Sequence, residues 1–219
     1  MSLPNDSILV TPGSGATIPT HTVASKEYEV VMVAGESGHI KNSLPTYSWW
    51  VPTAAVGANK LFADLFNAVG SGKIINIHGL WCIVDTDTAV TGAVGIQIML
   101  NRTSAVGTGG TAATYNTGTV ETTGTIIPYD TTNASLPAQI TARAVPTGGA
   151  TISAFLWSQF YAGEEAATSM AYIGSFQNMF PVGLNIQEYV LREGQGLLIK
   201  QGPVAATGNV SFLVVFTLE

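Results

Sequence analysis

Few residues of this chain have the types and spacing that metal binding requires. The three histidines stand at positions 21, 39 and 78. None lies in an HxH or HExxH arrangement, which would place two imidazoles on one metal ion. His78 belongs to the strand-like run KIINIHGLW, so we interpret it as a core or edge residue with satisfied hydrogen bonds. The sequence therefore predicts no histidine-based metal site.

Two pairs of carboxylates could act together. Asp85 and Asp87 are two residues apart in a predicted turn, but the run lacks the further oxygen ligands of a calcium loop, so a hydrogen-bonded turn is favoured. Glu164 and Glu165 are adjacent, and adjacent residues on a strand face opposite sides, which disfavours joint acid–base work. Because Gly163 precedes them, we expect this pair at a solvated loop tip.

Motifs for nucleophilic catalysis and phosphate binding do not occur in the sequence. There is no GxSxG elbow and no GKS or GKT loop. The run GTGGT at 107 to 111 lacks the lysine of a phosphate cradle and predicts a flexible turn. The single cysteine, Cys82, excludes an internal disulfide and a Cys-rich zinc site, and its neighbours favour a buried, inert thiol. We expect no enzyme activity: no catalytic residue, no cofactor and no metal.

One aromatic cluster could carry a binding function. Tyr47, Trp49 and Trp50 stand close together in the chain, and aromatic side chains dominate both sugar-stacking platforms and protein interfaces. A place in the core or in a subunit interface is the favoured interpretation. A carbohydrate-binding module that uses Trp49 and Trp50 stays an alternative.

The composition predicts a surface that other protein covers. Of the 219 residues, 46% are hydrophobic and 10% charged, against about 25% charged in an average soluble domain. Thr, Ser, Asn, Gln and Gly take the place of charged residues, and burying them costs less desolvation free energy than burying an ionised side chain. The eight basic residues are scattered and the net charge is −6, so neither nucleic acid nor an anionic membrane is expected as a partner. We expect a homo-oligomer.

The spacing of apolar residues predicts an all-β chain. About eight strands joined by short turns favour a jelly-roll-like antiparallel β-sandwich over a barrel. The predicted strands cover residues 26–33, 73–85, 93–102, 139–145, 152–161, 184–192, 196–201 and 209–218.

One short helix is predicted over residues 59 to 69. Apolar residues recur at helical spacing on one face, at Leu61, Phe62, Leu65, Phe66 and Val69. Asn59 is available as the N-cap and Gly70 as the terminator.

Three segments differ in composition. Residues 1 to 25 are rich in Pro, Gly, Ser and Thr and predict an extended N-terminal arm. Residues 26 to 219 form one predicted sandwich domain, within which 103 to 137 is a long Thr/Gly-rich excursion. The opening MSLPNDSILV lacks the basic region of a signal peptide, so we expect no secretion by that route.

Several stretches resemble a group of virion proteins of tailed bacteriophages. They are ILVTPGSGATIPTHTVASKEYEVVMVAGESGHI (8 to 40), NRTSAVGTGGTAA (101 to 113), ITARAVPTGGAT (140 to 151) and EYVLREGQGLLIKQ (188 to 201). These proteins look like head-associated structural components, and the resemblance touches about half of the chain. It assigns no functional residue.

The resemblance implies a jelly-roll capsid decoration, or cement, protein. Such a protein is expected to be a homotrimer that binds the major capsid protein on the outer surface of the phage head, after synthesis in the cytoplasm of the bacterial host. A jelly-roll protein of the neck, tail or fibre is the alternative place in the virion.

Overall fold

The computed structural model describes residues 7–9, 17–23, 26–29, 44–85, 92–116, 124–166, 169–170 and 188–219, where every regular element is a β-strand. The prediction of an all-β chain is confirmed for this part. The strands are β1 (Ser7–Leu9), β2 (Thr17–Val23), β3 (Lys26–Glu29), β4 (Thr46–Ala55), β5 (Leu61–Asn67), β6 (Ile75–Asp85), β7 (Gly92–Ala105), β8 (Thr111–Ala112), β9 (Thr114–Tyr115), β10 (Thr125–Pro128), β11 (Ile140–Ala144), β12 (Thr151–Ala166), β13 (Ser169–Met170), β14 (Tyr189–Leu191), β15 (Gln195–Gln201) and β16 (Asn209–Leu218). Across these ranges no helix has the length and apolarity needed to cross a membrane.

The described strands from position 44 onward form two sheets. One has six strands in the order β14-β6-β16-β4-β10-β9, and the other has seven in the order β13-β12-β7-β15-β5-β11-β8. The strand pairs are antiparallel except β9 with β10, which is parallel. The predicted arrangement of two antiparallel-rich sheets is confirmed.

Eight of these strands pair in a nested order. β4 pairs with β16, β5 with β15, β6 with β14 and β7 with β12. The first strand of this set thus pairs with the last, the second with the next to last, and so on inward. Such nesting arises when one long hairpin folds across itself, so that successive strands of each arm fall alternately in the two sheets.

The core lies between the two sheets. In β4, the buried Tyr47, Trp49 and Val51 alternate with the more exposed Ser48 and Trp50, as the two-residue period of a strand requires. Two ring contacts link core aromatics: Phe62 of β5 packs on Phe212 of β16 at 5.4 Å between centroids, and Tyr47 stacks on Phe216 at 5.6 Å. Since Phe62 and Phe212 belong to different sheets, their contact joins the two sheets.

The helix predicted over 59 to 69 is wrong, because this segment forms strand β5. β5 lies between β15 and β11, and all of its residues after Leu61 are buried. A strand buried on both faces loses the polar–apolar alternation that would identify it. The expected N-cap, Asn59, instead has a positive φ of 59° in the turn before the strand.

The N-terminal residues have strands of their own. Within the predicted arm, β1 pairs with β2, and β2 pairs with β3, which begins at Lys26. The chain divides into two compact units between Ser43 and Leu44, whereas the sequence placed the boundary after residue 25. Of the strand predicted over 26 to 33, the part described is β3, which belongs to the N-terminal unit; residues 30 to 33 lie outside the described residues.

The Thr/Gly-rich excursion at 103 to 137 supplies short strands to both sheets. Its first residues continue β7 to Ala105. β8 pairs with β11 in the seven-stranded sheet, while β10 joins β9 to β4 in the six-stranded sheet. The excursion therefore widens both sheets on the side of β4 and β5.

Candidate assembly surface

Strand β12 has a long edge that no described strand covers. On one side it pairs with β7 from Thr151 to Glu164. On the other side its described neighbour is β13, which pairs only with Glu165 and Ala166. An edge strand can contact another chain through its backbone donors and acceptors.

Exposed apolar side chains are concentrated on this strand. Nine large hydrophobic side chains are exposed among the described residues, and four of them belong to β12. They are Ile152 (45%), Phe155 (57%), Trp157 (41%) and Phe160 (69%). Concentrated apolar exposure of this kind marks protein interaction sites.

The register explains why three of these side chains are not in the core; the fourth, Trp157, lies opposite Leu100 and so on the other face of the strand. On β7 the buried Ile96, Ile98 and Leu100 face the core, so the alternate residues face away from it. Ile152 lies opposite Thr103, Phe155 opposite Asn101 and Phe160 opposite Gln97. Directly opposite residues share a face, so these three side chains lie on the outer face of the sheet.

The strand also carries little charge. Among its sixteen residues only Glu164 and Glu165 are charged, both at its end. Edge strands are usually protected from association by charged residues, especially lysine, or by bulges. β12 has register shifts between Thr151 and Trp157, which hinder regular pairing with an added strand there. A partner would therefore contact this region mainly through side chains.

A buried carboxylate lies on the outer face of the same sheet. Asp64 of β5 is fully buried, and its Oδ2 accepts a hydrogen bond from the Gly107 backbone N–H at 2.5 Å. Burial raises the pKa of the Asp64 carboxyl, although the Gly107 hydrogen bond and the charge of Arg143, opposite it on β11, act to lower it. Oδ1 has no hydrogen-bond partner in the structure. The carboxylate holds the loop after β7 and lacks the neighbouring nucleophile of a catalytic base.

Replacing Asp64 by Asn should raise the free energy of unfolding at neutral pH, with a gain that shrinks as the pH falls. The folded-state pKa of Asp64 lies above its ordinary value, so the stability that protonation provides is lost as the pH rises through the folded pKa. Asparagine cannot ionise, yet its Oδ1 can still accept the Gly107 N–H. Urea unfolding of both proteins from about pH 4 to about pH 8 tests this. A wild-type chain that gains stability over D64N with rising pH would contradict the expectation.

A cavity of about 220 Å³ lies beside β11. Its lining is mostly apolar and includes Tyr115, Ile126, Leu136 and Ile140, with Arg143 as the one charged side chain. The lining contains no carboxylate, histidine or cysteine besides Arg143, so the cavity has no acid–base pair.

The other residues singled out from the sequence are dispersed. His78 Nε2 lies 2.9 Å from Thr217 Oγ1, and Nδ1 lies 2.9 Å from Glu188 Oε1, which fits the interpretation of a satisfied edge residue. Cys82 is buried as predicted. The described residues contain no cluster of three or more His, Cys, Asp or Glu side chains placed to hold a metal ion. His39 and Asp87 lie outside the described residues, and nothing is described for the side chain of His21.

Two predictions about turns have different outcomes. The GTGGT run does contain a turn, in which Gly109 and Gly110 have φ of 68° and 66°. The loop tip expected at Glu164 and Glu165 is wrong, because β12 continues through both residues to Ala166.

The sugar platform of Trp49 and Trp50 does not form. Trp49 is 1% exposed and lies in the core, whereas Trp50 is 40% exposed. Adjacent residues on a strand project to opposite faces, so the two indoles cannot contact one ligand. The core position favoured for this cluster is confirmed for Tyr47 and Trp49.

Comparisons of the chain with protein families, curated proteins and solved structures found no match.

Proposed function

We propose that the chain is a non-enzymatic virion structural protein, a capsid decoration (cement) protein on the outer surface of a phage head. The observation that carries the proposal is the exposed apolar side chains of β12, with hardly any charge on the strand. Exposing such residues to water is unfavourable, by about 25 cal/mol per Å². Their concentration on one strand is explained if a neighbouring protein covers it.

The nested strand order supports a jelly roll as the fold of the sandwich. A jelly roll has eight strands in two sheets that form two Greek keys, and it occurs in viral capsid and lectin domains. The four nested pairs, from β4 with β16 to β7 with β12, have this arrangement. The strands of the excursion are additions outside the set of eight.

The size of the apolar surface suits a protein interface. Half-exposed, the three outer-face side chains of β12 present on the order of 300 Å², since a fully buried aromatic residue covers about 150–250 Å². That is more than a third of the roughly 800 Å² that each partner contributes to a standard interface. A polar rim of Thr, Ser and Gln would supply the remainder.

A decoration protein can stabilise a shell through the thermodynamic linkage between binding and stability. A protein that binds intact shells but not separated subunits stabilises the shell by its binding free energy. Many copies, each a homotrimer bridging major capsid proteins, multiply a modest affinity. A surface with few ions limits the desolvation cost of every contact.

The proposal is tested with purified head shells that lack this protein. Adding the chain should raise the temperature at which the shells open, and electron microscopy of the decorated shells should show it on their outer surface. A chain that leaves shell stability unchanged and does not sediment with shells would refute the decoration role. Density for the chain at the neck, tail or fibre of whole virions would also refute the decoration role and would favour the alternative place in the virion.

Deleting residues 1 to 25 should abolish binding to shells and leave the sandwich folded. The deleted residues belong to the compact unit 1 to 43, whereas the sandwich strands lie in the unit that starts at Leu44. The deletion removes β1 and β2 and therefore the three-stranded sheet that they form with β3. Sedimentation with shells measures binding, and circular dichroism checks the fold. Unchanged sedimentation would show that the arm is not the contact.

A further inference from the structure

The outer face of the six-stranded sheet carries two tryptophans in one row. Trp50 of β4 lies directly opposite Leu213 of β16, which lies directly opposite Trp81 of β6. Directly opposite residues share one face of a sheet, and the flanking Trp49 and Cys82 are in the core. The two indole-bearing positions are two strand spacings apart, about 10 Å.

The far end of the Trp81 indole lies beside Gly79. A Cβ added to Gly79 would be 2.5 Å from Cζ3 and 3.0 Å from Cζ2 of Trp81, so these ring atoms occupy the space that a side chain at position 79 would fill. Only glycine allows this close approach. The position of the ring therefore depends on Gly79, and Trp81 remains partly exposed.

The described strands around the row carry few charged residues. β4, β10 and β16 contain no charged residue, and β6 contains only His78 and Asp85. His78 is paired with Glu188 at 2.9 Å. A phosphate or another anion would find no lysine or arginine on these four strands, whereas a neutral ligand would leave no ion desolvated without a partner.

We propose that Trp50 and Trp81 form a binding platform for a neutral polysaccharide with flat sugar rings, such as a β-1,4-linked chain of glucose or N-acetylglucosamine. The C–H faces of such rings pack on indole faces, and their hydroxyls stay at the solvated edge. The separation of the two positions is close to the length of a disaccharide unit in an extended chain, so alternate rings stack on the two indoles. The ring between them lies over Leu213. This site is independent of the decoration role.

Titration calorimetry of the full chain with cellohexaose and chitohexaose tests the platform. We expect binding of at least one of them, and an affinity at least about tenfold lower in W50A or W81A. G79A is the sharpest variant, because it keeps both indoles but puts a methyl group where the Trp81 ring lies. It should lower the affinity to a similar extent.

Matched controls come from the seven-stranded sheet. W157A removes an equally exposed indole, and G95A adds a methyl group where nothing lies within 4 Å; both should bind as the wild type does. Circular dichroism verifies that each variant folds. If W81A unfolds, the affinities of W50A and G79A for the oligosaccharides test the proposal. Failure of both hexasaccharides to bind, tighter binding of polygalacturonate, or an unchanged affinity in G79A would each overturn the proposal. Loss of shell binding in W50A with unchanged oligosaccharide binding would also overturn it.

Discussion

Replacing Phe155 and Phe160 together by serine should convert the proposed homo-oligomer into monomers and weaken the proposed binding to shells by about 10² to 10⁴ fold. Both side chains are more than half exposed on the outer face of β12. Full burial of one such side chain contributes about 1.5–3 kcal/mol, and each 1.4 kcal/mol is a factor of ten in affinity. Because neither residue belongs to the core, the variant should keep its fold.

Analytical ultracentrifugation at micromolar concentration and sedimentation with shells measure the two effects. The matched control is Val69→Ser with Val204→Ser, which removes two exposed apolar side chains that lie outside β12. This control should associate as the wild type does. If the phenylalanine variant and the valine variant behave alike, β12 is not the assembly surface.

Replacing Trp49 by alanine should lower the free energy of unfolding by about 3–5 kcal/mol, the usual cost of truncating a buried large aromatic side chain. Trp49 is 1% exposed and belongs to the cluster that both sheets share. Its neighbour supplies the control, since Trp50 is 40% exposed on the opposite face. W50A should cost about 0.5 kcal/mol or less, as surface substitutions do.

A third substitution separates ring packing from the indole N–H. Trp49 Nε1 is buried without a hydrogen-bond partner in the structure, so W49F removes an unsatisfied donor and keeps most of the packed volume. It should cost much less than W49A. Urea unfolding followed by far-UV circular dichroism measures all three variants. An equal cost for W49A and W50A would contradict the assignment of Trp49 to the core face and Trp50 to the outer face of β4.

Four strands were predictable from the sequence, since β6, β7, β15 and β16 lie within three residues of the predicted ranges. β7 showed the alternation that follows from the pleat of a single strand, whereas β15 and β16 are buried at almost every position and were recognised by the turn residues that bound them. β4 was recognised only as an aromatic cluster, and β5 was mistaken for a helix. Burial on both faces removed the local signal from β5.

The candidate sites depend on strand pairing, which local sequence patterns do not predict. The sequence of the run from 152 to 161 predicts a strand. Its exposed phenylalanines form a candidate interaction surface only because β12 lies near the end of its sheet. Likewise, Trp81 is 31 positions after Trp50, and the two share a row only because β16 lies between their strands.

From its sequence alone, this protein was determined to be an all-β chain with few charges and a buried single cysteine, since composition and the two-residue period act on each segment separately. Tertiary structure alone decided which strand is buried on both faces, which described strand lies near the end of its sheet and which tryptophan shares a row with Trp50. These features come from contacts between strands distant in the chain, such as β4 with β16. Their register depends on the packing of whole sheets rather than on neighbouring residues.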